Sequence, residues 1–257
     1  MAILYYMKLV LFDIDGTLIY HIDRSRKIGF PRFENAIKKV YGIDVHFSDT
    51  GGYNGWTDKQ IIRSIIPEAL FPQKLFEARF LEMGDALVAC ADIQASDGKK
   101  MYGMIPDAVT LATRLQKDSR YTLGILTGNV EKMAWWKLKH VGISRMFPFG
   151  LFGDTSDDRI ALSKSVFDAV WKKFHTHIQS EDITIIGDTI HDIRCGKAIG
   201  AKTIGVSTGI LKHNEGIHGG TNYIDNLKKE QPDFLVDSLM DPSILEYFFG
   251  KNISHSA

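Results

Sequence analysis

The chain has 257 residues, of which 44% are hydrophobic and 24% charged, a balance that excludes wholesale disorder and fibrous structure and fits one large domain or a domain with a modest insertion. Thirty-one Lys and Arg balance thirty-one Asp and Glu, so no net basic field exists to gather nucleic acid or an anionic membrane. The two cysteines, Cys90 and Cys195, imply no disulfide framework and suit a reducing compartment, the cytoplasm.

The apolar opening lacks the basic leader and small-residue cleavage site of a signal peptide and is too short to span a bilayer. It runs into Asp13-Ile14-Asp15 and reads as a buried strand over 8–13, with residues 1–6 as an upstream extension. Residues 20–104 show no comparable strand. They read as helices over 31–41, 58–66 and 72–89, with loops at Gly51-Gly52 and Pro67. From there helical and strand patterns alternate: helix 107–117, strand 122–127, helix 130–141, a weaker strand 147–152, helix 159–174, strand 183–187, helix 191–199 and strand 202–206. A further weak strand is expected at 234–236, after a surface loop over 210–231 that holds His213 and His218 without metal-site spacing. Short, nearly unbroken apolar runs suit strands covered on both faces, and their alternation with helices predicts an α/β fold with a parallel sheet. The expected division is an α/β core of 1–19 and 105–257 and a small helical domain of 20–104, because a loop that long needs a core of its own.

Chemistry concentrates at three strand ends. The first strand closes in Asp13-Ile14-Asp15-Gly16-Thr17, the second in Leu126-Thr127-Gly128-Asn129, and a third in Gly187-Asp188-Thr189-Ile190-His191-Asp192. Ligands of open α/β sheets bind beyond the carboxyl ends of strands. Two carboxylates one residue apart are costly unless they hold a cation or share a proton. A Thr hydroxyl, a glycine and fresh helix N–H groups offer contacts to phosphate oxygens. Singly, each pattern is also explained by a turn or a helix cap. Together at one sheet edge, capping does not account for them.

DxDGT, LTGN and GDTxxD in this order resemble the haloacid dehalogenase superfamily of phosphatases over nearly the whole chain, and the helical insertion resembles the type-one cap of phosphoglycolate phosphatase-like members. The resemblance implies a Rossmann-like sheet with strand one between strands two and four, bringing Asp13, Thr127 and Asp188 together. It implies Asp13 as nucleophile through an aspartyl-phosphate and Asp15 as general acid and then base. Mg²⁺ would be held by the Asp13 carboxylate, the Asp15 carbonyl and Asp188, with Asp192 in contact or just behind. Thr127 and the Gly128 and Asn129 amides would hold phosphate oxygens.

The family's charge-balancing cation departs from its usual Lys-Pro signal, leaving Arg159 and Lys164. With Ser156 or Asp157 as N-cap, Arg159 falls in the first turn beside the phosphate, and Lys164 lies five residues deeper and rotated by roughly 140°. Arg159 is therefore expected. In the insertion, the segment from Gly51 to Lys59 resembles the family's substrate-facing loop, with Asn54, Trp56 and Lys59 as contacts and Thr57 or Asp58 as a helix cap. The implied activity is Mg²⁺-dependent hydrolysis of a small phosphate ester. A phosphomutase of the same family is the alternative, and a receiver-like signalling domain the remote one.

Overall fold

The computed structural model describes residues 7–23, 29–47, 53, 55–207 and 222–251. The core strands are β1 (Lys8–Phe12), then, after the ribbon strand β2 (Ile19–His21), the helices α1 (Gly29–Tyr41), α2 (Asp58–Ile65), α3 (Gln73–Phe80) and α4 (Met83–Gln94), and the second ribbon strand β3 (Tyr102–Met104), a regular alternation. That alternation runs α5 (Pro106–Gln116), β4 (Tyr121–Leu126), α6 (Glu131–His140), β5 (Phe149–Leu151), α7 (Arg159–Lys164), α8 (Val166–Phe174), β6 (Ile183–Gly187), α9 (Ile190–Ile199), β7 (Lys202–Val206), α10 (Asn222–Lys229), β8 (Phe234–Val236) and α11 (Pro242–Phe249).

Six strands form one parallel sheet in the order β5-β4-β1-β6-β7-β8. Its two faces are read directly from the strand alternation. Val10, Phe12, Leu123, Ile125 and Ile186 pack with α5, α6 and α11, whereas Leu9, Leu11, Leu126, Ile183 and Ile185 pack with α7, α8 and α9. Both faces are covered, as the unbroken apolar runs require. The chain winds from β1 outward through β4 and β5, then returns to β6 on the other flank, so a crevice opens at the carboxyl ends of β1, β4 and β6.

Four helices lie between β2 and β3 and have their own apolar centre, built from Ala36, Ile37, Val40, Ile62, Phe76, Met83 and Leu87 with Val130 and Met133 from the core. Contrary to the expectation of no strand in 20–104, β2 and β3 pair antiparallel, Ile19 with Met104 and His21 with Tyr102, at the two ends of the insertion. The helix expected at 72–89 is two, α3 and α4, separated at Leu81-Glu82, and the second runs on to Gln94. The helix expected at 159–174 is broken at Ser165, whose hydroxyl turns back to the Leu162 carbonyl at 2.7 Å. The region read as a loop over 210–231 contains α10. His213, His218, Gly51, Gly52, Asn54 and the extension 1–6 lie outside the described residues. No helix among the described residues is long and apolar enough to cross a membrane.

Candidate active site

The carboxyl end of β1 turns sharply. Gly16 has φ of 91°, and a Cβ there would stand 2.2 Å from Asp188 Oδ2, so only glycine allows β1 and the end of β6 to come this close. Asp13, Asp188 and Asp192 are all buried, and each offers an oxygen within 4.8 Å of the others. Thr17 donates to Asp188 Oδ1 at 3.3 Å, whereas Asp188 Oδ2 is buried without a partner.

Arg159 is the cation of this cluster. Its Nη2 donates to Asp13 Oδ1 at 3.3 Å and to Asp192 Oδ1, and the residue is 6% exposed. Lys164, at the far end of α7, faces solvent. The N-cap of α7 is Asp158 rather than Ser156 or Asp157: its carboxylate accepts the Ile160 and Ala161 N–H groups. That moves Arg159 to the first helical residue, still beside the strand ends. Asp192 has both oxygens committed, Oδ1 to Arg159 and Oδ2 to the N–H and hydroxyl of Thr189 in a capping box that opens α9.

Burial and the neighbouring Asp192 carboxylate push Asp13 up to about 7, with Arg159 opposing and Asp15 adding to the rise. Burial and the charges of Asp13 and Asp192 hold Asp188 well above the ordinary carboxylate range. Three carboxylates against one guanidinium leave negative charge uncompensated, and one buried oxygen is orphaned. The donor set is all oxygen, so it fits a hard divalent cation.

Asp15 sits in a different setting. Its Oδ2 accepts from Lys137 Nζ at 2.6 Å and from Asn129 Nδ2 at 2.8 Å, and Lys137 also donates to Asn129 Oδ1 at 2.6 Å. Burial alone would raise the Asp15 pKa, but the Lys137 charge, the nearby His21 and the two hydrogen bonds outweigh it and hold it below the usual value. His21 itself is pushed down to about 4 by burial, against the pull of Asp15. Thr127 is buried, and its hydroxyl accepts from the Asn129 amide at 3.3 Å and from Asn129 Nδ2 at 2.8 Å.

The insertion meets this loop directly. The Gly128 carbonyl accepts the Asp58 N–H at 2.7 Å, and the Asp58 carboxylate accepts the Val130 N–H at 2.9 Å. A Cβ on Gly128 would lie 2.3 Å from the Trp56 carbonyl oxygen. Thr57 is the N-cap of α2, in a capping box with Gln60, which frees Asp58 to reach across. Asp58 is raised to about 6, chiefly by burial. Lys59 pairs with Glu77 at 2.8 Å and Asp157 at 3.0 Å, joining insertion to core. Trp56 is 38% exposed, with its ring edge-on to Tyr53.

Sequence reasoning passed over Lys137, Arg32, Tyr102 and His21. The first two carried a signal. Lys137 lies on the buried stripe of α6 with Met133, Ala134 and Leu138, and Arg32 precedes Ala36 by one turn on the buried stripe of α1. A cation on an apolar stripe requires a buried partner.

A family model described as haloacid dehalogenase-like hydrolase matches residues 10–206, which takes in Asp13, Asp15, Thr127, Arg159, Asp188 and Asp192. The chain belongs to the haloacid dehalogenase-like hydrolases. Among curated members it is similar to a phosphoglycolate phosphatase of Vibrio cholerae, 23% identical with 91% of this chain and 94% of that one covered. It is similar to another of Aquifex aeolicus, 24% identical over 94% of this chain and all of the relative. A pyrophosphatase PpaX of Bacillus pumilus is 23% identical over 90% of this chain and 93% of its own. Of solved structures, CbbY from Rhodobacter sphaeroides in complex with phosphate superposes with a TM-score of 0.59 at 16% identity, covering 91% of this chain and 96% of that one, which shows the shared haloacid dehalogenase-like fold.

Proposed function

We propose that this hydrolase releases inorganic phosphate from a small phosphate monoester through an aspartyl-phosphate on Asp13. The observation that carries the reading is the meeting of Asp13, Asp188, Asp192 and Arg159 at the strand ends, with Asp15 beside them. The curated relatives named as phosphatases support it.

In this reading Asp13 attacks phosphorus and the bond to the leaving oxygen breaks. Asp15 gives that oxygen its proton, then takes a proton from the water that attacks the aspartyl-phosphate, and the Asp13–phosphorus link breaks to free phosphate. Lys137 and Asn129 keep Asp15 ionised before substrate arrives. Docking of the anionic phosphoryl group raises its pKa, since a nearby like charge disfavours a carboxylate, so Asp15 takes up from solvent the proton it then gives to the leaving oxygen, and the proton it gains from the attacking water returns to solvent once phosphate leaves. Arg159 offsets the charge on Asp13 and positions Asp192. Mg²⁺ held by Asp13, the Asp15 carbonyl and Asp188, with Asp192 behind, would neutralise phosphoryl charge and align the group for in-line transfer. Thr127 and the Gly128 and Asn129 amides would hold the phosphoryl oxygens. The insertion 20–104 acts as a cap over the core 1–19 and 105–257, with Trp56 at its substrate edge. The two free cysteines suit a reducing cytoplasm, and the balanced net charge suits a small-molecule substrate rather than nucleic acid.

The test is phosphate release with Mg²⁺ from a panel of phosphate esters, with Asp13→Asn as control. Turnover is expected to fall by several decades in a variant that keeps its fold, and a hydroxylamine-sensitive phosphoryl group should be trapped on the wild type alone. Undiminished turnover by Asp13→Asn sinks the mechanism.

A further inference from the structure

The start of α6 is capped from outside its own segment. Its N-cap is Val130 and its third helical residue is Met133, so neither side chain of a capping box can come from the helix itself. The Val130 N–H is taken instead, at 2.9 Å, by the carboxylate of Asp58, a residue of the insertion that is 7% exposed. The N–H of Asp58 donates in turn to the Gly128 carbonyl at 2.7 Å. One residue of the insertion therefore holds the peptide bonds on both sides of Asn129.

A trans peptide is a rigid plane whose C=O and N–H point in opposite directions. Fixing the Gly128 carbonyl therefore fixes the Asn129 N–H. Fixing the Val130 N–H fixes the Asn129 carbonyl, which accepts the Gly153 N–H at 2.8 Å. The Asn129 N–H meets the Thr127 hydroxyl at a long 3.3 Å and stays open to a stronger acceptor. The side chain of the same residue donates to Asp15 Oδ2 at 2.8 Å. The Asp58 carboxylate is not spent on its own helix, because Thr57 and Gln60 cap α2 between them.

We propose that Asp58 is a positioning residue that sets the two peptide planes around Asn129, so that the Asn129 N–H faces the phosphoryl group transferred to Asp13. The inference rests on the phosphatase reading and adds that the insertion completes the phosphate-binding loop. Asp58 acts through Gly128 and Val130 and needs no contact with substrate. A preorganised donor aimed at charge that develops in the transition state raises kcat more than it tightens substrate binding.

The experiment measures kcat and KM for p-nitrophenyl phosphate with Mg²⁺ in the wild type, Asp58→Ala and Asp58→Asn, together with inhibition by inorganic phosphate and by orthovanadate. The leaving group of this ester needs no proton, so the readout is separate from Asp15. Asp58→Ala is expected to lower kcat by about 10- to 100-fold, less than outright deletion of such a donor, because the N–H is misaimed and not removed. KM and the inhibition constant of phosphate should stay near their wild-type values. The inhibition constant of vanadate, which takes the five-coordinate geometry of the transferring phosphorus, should rise by the factor that kcat loses. Asp58→Asn keeps an oxygen for the Val130 N–H and should restore most of kcat. Wild-type kcat in Asp58→Ala overturns the proposal, as does a loss carried by KM alone, or an Asp58→Asn variant that folds and is as slow as Asp58→Ala. If Asp58→Ala does not fold, hydrogen exchange in the wild type decides: the Val130 amide should be protected, and exchange at the rate of an open amide overturns the proposal. A wild type inert toward p-nitrophenyl phosphate and every other phosphate ester removes the phosphatase reading, and this proposal with it.

Discussion

Lys137 Nζ stands 2.6 Å from Oδ2 of Asp15, at the end of a side chain that is 8% exposed. A lysine at the seventh residue of α6 reaches the strand ends because helical side chains lean toward the helix N-terminus. Removing one partner of a buried pair leaves the other uncompensated. Lys137→Met is therefore expected to lower kcat on alkyl phosphates by about 10²-fold, the scale of general acid–base catalysis. The loss should be smaller on p-nitrophenyl phosphate, whose leaving group needs no proton. Steady-state kinetics on the two substrates decide the point, and equal losses argue against a link to Asp15.

Arg159 and Lys164 separate cleanly. Arg159→Ala strips the cation from Asp13 and Asp192 and is expected to lower kcat strongly, whereas Lys164→Ala, at a solvent-facing position, should leave it within about twofold, as surface substitutions usually do. Circular dichroism should show both variants folded. The reverse kinetic pattern would reassign the cation.

Metal binding should be visible without turnover. A cation that binds only the folded chain stabilises it by mass action. Millimolar Mg²⁺ is expected to raise the thermal midpoint of the wild type, and Asp188→Asn should abolish that rise, since it removes the orphaned Oδ2 carboxylate charge. A midpoint in Asp188→Asn that still climbs with Mg²⁺ would place the cation elsewhere.

His21 gives a pH dependence with a definite sign. Its folded pKa of about 4 lies below the ordinary 6.5, so between those values the unfolded chain binds more protons. Stability from this group is complete above about pH 6.5 and lost as the pH falls toward 4. Between pH 7 and 5 the loss is about 2 kcal/mol. Urea unfolding at both values should show that much more acid sensitivity in the wild type than in His21→Asn. Equal sensitivity would mean that His21 is not buried in its neutral form.

The core was legible because each strand is covered on both faces and so is written as an uninterrupted apolar run. β6, β7 and β8 match their expected bounds, β1 ends one residue early, and β4 is shifted by one residue at both ends. The strand ends then carried Asp13, Thr127 and Asp188 together. What stayed hidden depends on contacts distant in sequence. The β2–β3 ribbon has three residues a side, too few for a periodic signal, and pairs residues more than eighty positions apart. Lys137 and Arg32 stand on apolar helix stripes, which signals a buried partner, but which partners they meet, Asp15 and Tyr102, is set only by the fold. Lys59 is the converse: the resemblance of its segment to a substrate-facing loop suggested substrate, whereas Glu77 and Asp157 come to it only in three dimensions.

The pairing of Ile19 with Met104 means that the chain leaves the sheet layer and returns to it at neighbouring positions. The intervening α-helices α1 to α4 among the described residues hang from that one stem, and the Ile105 N–H closes it by donating to the Leu18 carbonyl at 2.9 Å. To the α/β core the insertion is therefore equivalent to a hairpin turn. A short type I′ turn could replace residues 22–101 without changing the direction of either chain end. The resulting miniature protein would keep Asp13, Asp15 and Asp188 while losing Arg32, Asp58 and Lys59. The same stem could accept a foreign helical module without altering the strand ends that carry the carboxylates.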